Sequence, residues 1–66
     1  MKIQVNGEHW ELPDGSPLGD VLHRLGAPAS GVAVALDGAV VPRASWASTE
    51  LRDGSSVEVF TAVQGG

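Results

Sequence analysis

The sequence predicts an α+β fold in which one helix packs on one face of a mixed sheet of four to five strands. Three observations predict it. One segment carries the 3.6-residue apolar period of a helix, and short segments on either side of it carry the two-residue period of strands. Asn6-Gly7, Asp14-Gly15, Asp37-Gly38 and Asp53-Gly54 punctuate these segments as turn pairs that tolerate positive φ. At 66 residues the sequence makes one domain, of a size that buries only about 60 % of the surface its unfolded chain exposes. With no cysteine and no cluster of histidines with carboxylates, its stability is expected to come from apolar packing alone.

Each element follows in order. Ile3 and Val5 alternate with Lys2 and Gln4, and beyond Asn6-Gly7 Trp10 and Leu12 alternate around Glu11, so the chain opens as a β-hairpin with one buried face. From Ser16 the period changes: Leu18, Val21, Leu22 and Leu25 fall at i, i+3, i+4 and i+7, on one helical stripe. Ser16 suits the N-cap, Pro17 the first helical position and Asp20 the positive end of the helix dipole. His23 and Arg24 suit the negative end, and Gly26 the left-handed position after it. Residues 27–31 connect to a strand in which Val32, Val34 and Leu36 alternate with alanines.

Asp37-Gly38 turns the chain back through Ala39, Val40 and Val41 to Pro42, which lacks a backbone donor and marks a sheet edge or a strand end. Residues 44–49, around Trp46, are mixed and short, with room for one helical turn. After Asp53-Gly54 the last strand places Val57, Val59, Thr61 and Val63 on one face and Glu58, Phe60 and Ala62 on the other. Two strands, one helix, then two or three strands is the element order of the β-grasp, or ubiquitin-like, fold. The expected division is a β-grasp domain over residues 1–63 and a flexible Gly-Gly tail over residues 64–66.

Charge narrows the function. Eight acidic and four basic side chains give a net charge of −4, too few cations to neutralise a phosphate backbone, so nucleic acid is excluded as a partner and a basic protein surface is favoured. No stretch approaches the roughly 20 apolar residues of a membrane span, and MKIQVNG lacks the layout of a signal peptide, so a cytoplasmic setting is expected. His9 and His23 are not spaced as metal ligands. Trp10 and Trp46 are expected to supply apolar area in the core or at its rim. Glu8, Glu11, Asp37, Glu50 and Glu58 form a solvated acidic surface, part of which could steer docking.

The end of the sequence, VEVFTAVQGG, is a strand pattern running into two glycines, the residues least able to hold a fixed backbone. Together with an opening strand that leads into Asn6-Gly7, VVPRASW at Val40 to Trp46, Asp53-Gly54 and a last strand that holds Phe60, this ending resembles the ThiS family, the sulfur carriers of thiamine biosynthesis. The resemblance covers the whole chain. It implies a carrier without catalysis of its own, whose Gly66 carboxylate is adenylated by a partner enzyme using ATP and then converted to a thiocarboxylate. No bound cofactor is implied. The implied partners are an adenylating, ThiF-like enzyme, a ThiG-like thiazole synthase and a sulfur donor such as a cysteine desulfurase persulfide.

On this reading Val63, Gln64 and Gly65 form the arm that enters the partner's channel. At about 3.3 to 3.6 Å per extended residue, Gln64 to Gly66 reach roughly 10 Å past the last strand. Phe60, with Glu58, Ala62 and Arg43, is the candidate docking set. Phe60 has two readings: a docking contact on the face away from the core, or packing beneath the segment around Trp46. Arg43 likewise is either a solvated side chain or a contact to an acidic partner. Three other functions share the features: a molybdopterin-pathway sulfur carrier, a ubiquitin-like modifier whose end forms an isopeptide bond, and a β-grasp binding module with no tail chemistry.

Overall fold

The computed structural model describes residues 1–27 and 30–61. Its elements are β1 (Lys2–Val5), β2 (Glu8–Glu11), α1 (Leu18–Leu25), β3 (Val32–Leu36), β4 (Ala39–Val40), a 3-10 helix over Arg43–Ser48, and β5 (Ser56–Thr61). Local backbone chemistry makes the two hairpins. Asn6 and Gly7 have φ of 50° and 85°, and Asp37 and Gly38 have φ of 49° and 85°, the two successive positive values of a type I′ turn, whose twist matches the flanking strands. The first turn sets Ile3 opposite Trp10, and the second sets Ala35 opposite Val40.

The strands form one mixed sheet in the order β2-β1-β5-β3-β4. β5 lies at its centre, parallel to β1 through Gln4↔Ser56 and Val5↔Val57, and antiparallel to β3 from Leu36↔Val57 to Val32↔Thr61. The C-terminal strand is therefore held on both flanks, and β4, which ends just before Val41 and Pro42, is an edge.

One face of the sheet is closed by α1. Ile3, Val5, Val34 and Val57 meet Leu18, Val21 and Leu22, and Leu12 and Leu51 complete the buried cluster. Trp10, Trp46 and Val59 pack against it from the rim, and the Trp46 indole N–H donates to the Val41 carbonyl at 2.9 Å, which satisfies its polar edge. The helix ends as its sequence predicts. Gly26 has φ of 67°, and the N–H groups of Gly26 and Ala27 donate to the carbonyls of His23 and Leu22.

Three details of the helix and its surroundings depart from the sequence reading. Ser16 does not cap α1. Its hydroxyl donates to the Pro13 carbonyl at 2.7 Å, and Pro17, with ψ of 159°, takes the N-cap position. The free donor that a cap would have satisfied is taken by another part of the chain: the Leu18 N–H donates to the Thr49 carbonyl at 2.7 Å, and the Leu51 N–H to the Ser16 carbonyl at 2.9 Å. Leu25, the last residue of the predicted stripe, is 40 % exposed, because the apolar surface available to α1 is used up by Leu18, Val21 and Leu22. Leu51, which lies between Glu50 and Arg52 without any period, is only 2 % exposed and belongs to the core.

Candidate functional site at the end of the central strand

The face of the sheet opposite α1 has no covering layer among the described residues, and its make-up changes from one side to the other. Alternation along β5 buries Val57 and half-buries Val59 on the helix side, so Glu58 and Phe60 point the other way. Register then fixes their neighbours. Phe60 lies opposite Ala33, and Glu58 opposite Ala35, which in turn lies opposite Val40. Phe60 is 55 % and Val40 74 % exposed, whereas the small Ala35 between its neighbours is 7 % exposed. On the other half of the same face Lys2 pairs with Glu11 and Gln4 with His9, a polar surface. The apolar half thus adjoins the end of β5, where Gly31, Val32, Ala33, Phe60 and Thr61 line a shallow depression.

Of the two readings of Phe60, packing beneath the segment around Trp46 is not what the fold adopts. Phe60 stands on the open face, while Trp46 packs against the core from the 3-10 helix that contacts α1. Arg43 opens that same 3-10 helix, so it belongs to the helix layer and does not share the open face with Glu58 and Phe60. Ala62, Val63, Gln64, Gly65 and Gly66 lie outside the described residues.

Backbone hydrogen bonds show how β5 is held along its two flanks. The Val41 N–H donates to the Val34 carbonyl and the Asp37 N–H to the Ser56 carbonyl, so Val34 turns its backbone to β4, and Ala33, Ala35 and Asp37 turn theirs to β5. By the same alternation Ser56, Glu58 and Phe60 face β3, and Val57, Val59 and Thr61 face the β1 side. On that side β1 turns away at Asn6-Gly7. Asn6 continues the ladder in its place: its N–H donates to the Val57 carbonyl at 2.9 Å, and its side-chain Oδ1 accepts the Val59 N–H at 2.9 Å. Asp37 and Asp53 do the same elsewhere, accepting the N–H groups of Ser56 and Lys2 at 2.8 and 2.7 Å. Sequence reasoning assigned Asn6 and Asp53 to turns, and Asp37 to a turn and to the solvated acidic surface. It also passed over Val40, although the type I′ turn at Asp37-Gly38 fixes the register that brings Val40 beside Ala35.

Comparison with known proteins decides the family. The sequence profile of the ThiS family matches residues 3–66. The chain belongs to the ThiS family, the sulfur carrier proteins of thiamine biosynthesis. This ThiS-family chain is 29 % identical, over the full length of both, to the sulfur carrier protein ThiS of Escherichia coli. Its fold is similar to the crystal structure of the thiamine biosynthesis protein ThiS from Geobacter metallireducens, with a TM-score of 0.82, 30 % identity and full coverage of both chains. The solution structure of a thiamine biosynthesis protein from the same organism gives a TM-score of 0.80 at 28 % identity, covering all of this chain and 88 % of that one. The β-grasp architecture expected from the element order is therefore the one adopted, and members of the family are carriers without catalysis of their own.

Proposed function

We propose that the protein carries sulfur on its C-terminal carboxylate for formation of the thiazole of thiamine. The match of the ThiS profile through to Gly66 is the observation that carries this reading. A carboxylate is a poor electrophile, because its charge is delocalised and it offers no leaving group. A partner enzyme of the ThiF kind, using ATP, joins the Gly66 carboxylate to AMP. A persulfide from a donor such as a cysteine desulfurase displaces the AMP to give an acyl disulfide, and a second thiol then cleaves its S–S bond, forming a disulfide with the donor sulfur and leaving the outer sulfur on the carrier as a thiocarboxylate. This terminal thioacid ionises readily and gives a sulfur nucleophile without any cysteine, of which the chain has none. A thiazole synthase of the ThiG kind consumes it. On this reading the carrier works in the cytoplasm beside its activating enzyme.

The rest of the molecule serves presentation. Residues 64–66 act as the arm, and glycine suits its end because a Cβ beside the reacting carbonyl would crowd both the channel and the nucleophile. Ordering that arm on docking costs about 1 to 2 kcal/mol per residue in backbone entropy, which contacts on the folded body must offset. Phe60 is placed to supply the largest of them, since it presents aromatic area that packing within the fold leaves uncovered. Ala62 and Val63 come between Thr61 and that arm in the sequence.

The test is intact mass after incubation with ATP, a sulfide source and the cognate activating enzyme. Exchange of one oxygen for sulfur is expected, and its loss when one residue is appended after Gly66 locates the chemistry at that carboxylate. The appended residue should shift stability by no more than about 0.5 kcal/mol, as an ordinary surface change does. Unchanged mass with partners that activate another ThiS-family carrier would overturn the proposal. A ladder of protein conjugates would point instead to a modifier.

A further inference from the structure

We infer that Asn6 is a positioning residue for activation, the latch that fixes where β5 leaves the sheet and hence how the tail is presented; this rests on the carrier reading above. Of the three turn residues whose side chains accept a strand N–H among the described residues, Asn6 is the one that does so in the C-terminal half of β5. β3 flanks β5 as far as Thr61, but β1 flanks it only as far as Val57. Past that point the backbone of Val59 and Thr61 faces the vacated β1 side. The one group that reaches back to it among the described residues is the Asn6 amide, whose Oδ1 accepts the Val59 N–H at 2.9 Å. Asn6 holds φ of 50°, so a single residue both makes the turn that ends β1 and supplies the missing rung of the ladder. Beyond the rung, the Thr61 N–H has no partner on this side among the described residues. The latch therefore marks the last two-sided position of β5, just ahead of the residues that become the arm.

Two demands on position 6 can be separated by substitution. Asn6→Gly keeps the positive φ and the turn but removes the acceptor. Asn6→Asp keeps the acceptor and tolerates the same φ. Without the latch the end of β5 must be ordered on docking rather than before it, so the cost falls on association with the activating enzyme and not on chemistry once bound.

Amide hydrogen exchange on the wild-type protein should show Val59 protected and Thr61 exchanging freely. Equal free exchange of both would mean that there is no latch, whatever the carrier does. In Asn6→Gly, Val59 should lose about fivefold in protection, within what one hydrogen bond provides, while Val57 changes only with global stability. In adenylation assays the same variant should raise the KM for the carrier about fivefold with kcat little changed, and Asn6→Asp should restore both Val59 protection and KM. An Asn6→Asp protein as impaired as Asn6→Gly, or an Asn6→Gly protein with wild-type KM, overturns the inference. Adenylation of the wild-type protein, run alongside, reports separately on the carrier reading.

Discussion

On the helix side of the sheet Ile3, Val5, Val34 and Val57 are at most 1 % exposed, whereas on the other side Phe60 is 55 % and Val40 74 % exposed. Both faces are built on the same strands, and strand-favouring apolar residues such as Val57 and Phe60 occur on each, so intrinsic strand preference alone does not separate them. What separates them is α1. Leu18, Val21 and Leu22 close the helix side, and in a chain of this length one covered face is the whole core. Apolar area on the uncovered face contributes little to folding and remains available to a partner. Full burial of a Phe side chain is worth about 1.5 to 3 kcal/mol, so with 55 % of Phe60 exposed, what it withholds from the fold is of the size needed to offset ordering of about one residue of the proposed arm.

The contrast can be broken at several points. The largest effects should come from the closed face: Leu18→Ala and Leu51→Ala should each lower the unfolding free energy by about 3 kcal/mol, read from urea or thermal melts. That is a large part of the roughly 5 to 15 kcal/mol a small domain possesses. Activation of the fraction that stays folded should be unchanged. A loss at Leu51 below about 1 kcal/mol would remove it from the core. Next, Phe60→Ala should leave stability within about 0.5 kcal/mol yet lower kcat/KM for adenylation about tenfold, the size of an interface anchor. Destabilisation as large as that of Leu18→Ala would erase the distinction between the faces. The smallest effect should come from charge. Glu58→Gln, beside Phe60, should slow docking about twofold at low salt and not at high salt, while Arg43→Gln, in the helix layer, should change neither. Equal responses would show that docking reaches past the open face to the 3-10 helix.

How much of this was legible in the sequence depended on how local each cause is. The turn pairs, the helix stripe through Leu22, the Gly26 terminus and the alternation that turns Phe60 away from Val57 all arise within a few residues, and all are found where the pattern puts them. Leu51 could not be read, because its burial comes from a segment crossing the start of α1, more than thirty residues earlier in the chain. The Ser16 cap failed for the same reason. Thr49 supplies the acceptor for the Leu18 N–H, and the Ser16 hydroxyl donates to the Pro13 carbonyl instead. Around the candidate site, the strand face that Phe60 and Glu58 take was legible, but the place of Arg43 on a 3-10 helix that contacts α1 was not, since pattern says which face of a strand a residue takes and not which layer a connecting helix joins.

Sequence alone determined the period of each element, the handed turns between them and an ending in two glycines, because steric limits on φ and ψ and the spacing of apolar side chains act within a turn or two of chain. Tertiary structure decided that β5 is central, that one face is covered and the other open, and that Asn6, Asp37 and Asp53 complete ladders across the sheet. Those outcomes depend on which backbone groups are left unpaired once distant strands meet. Buried or bordering donors must find an acceptor, and only the assembled fold shows which one is within reach.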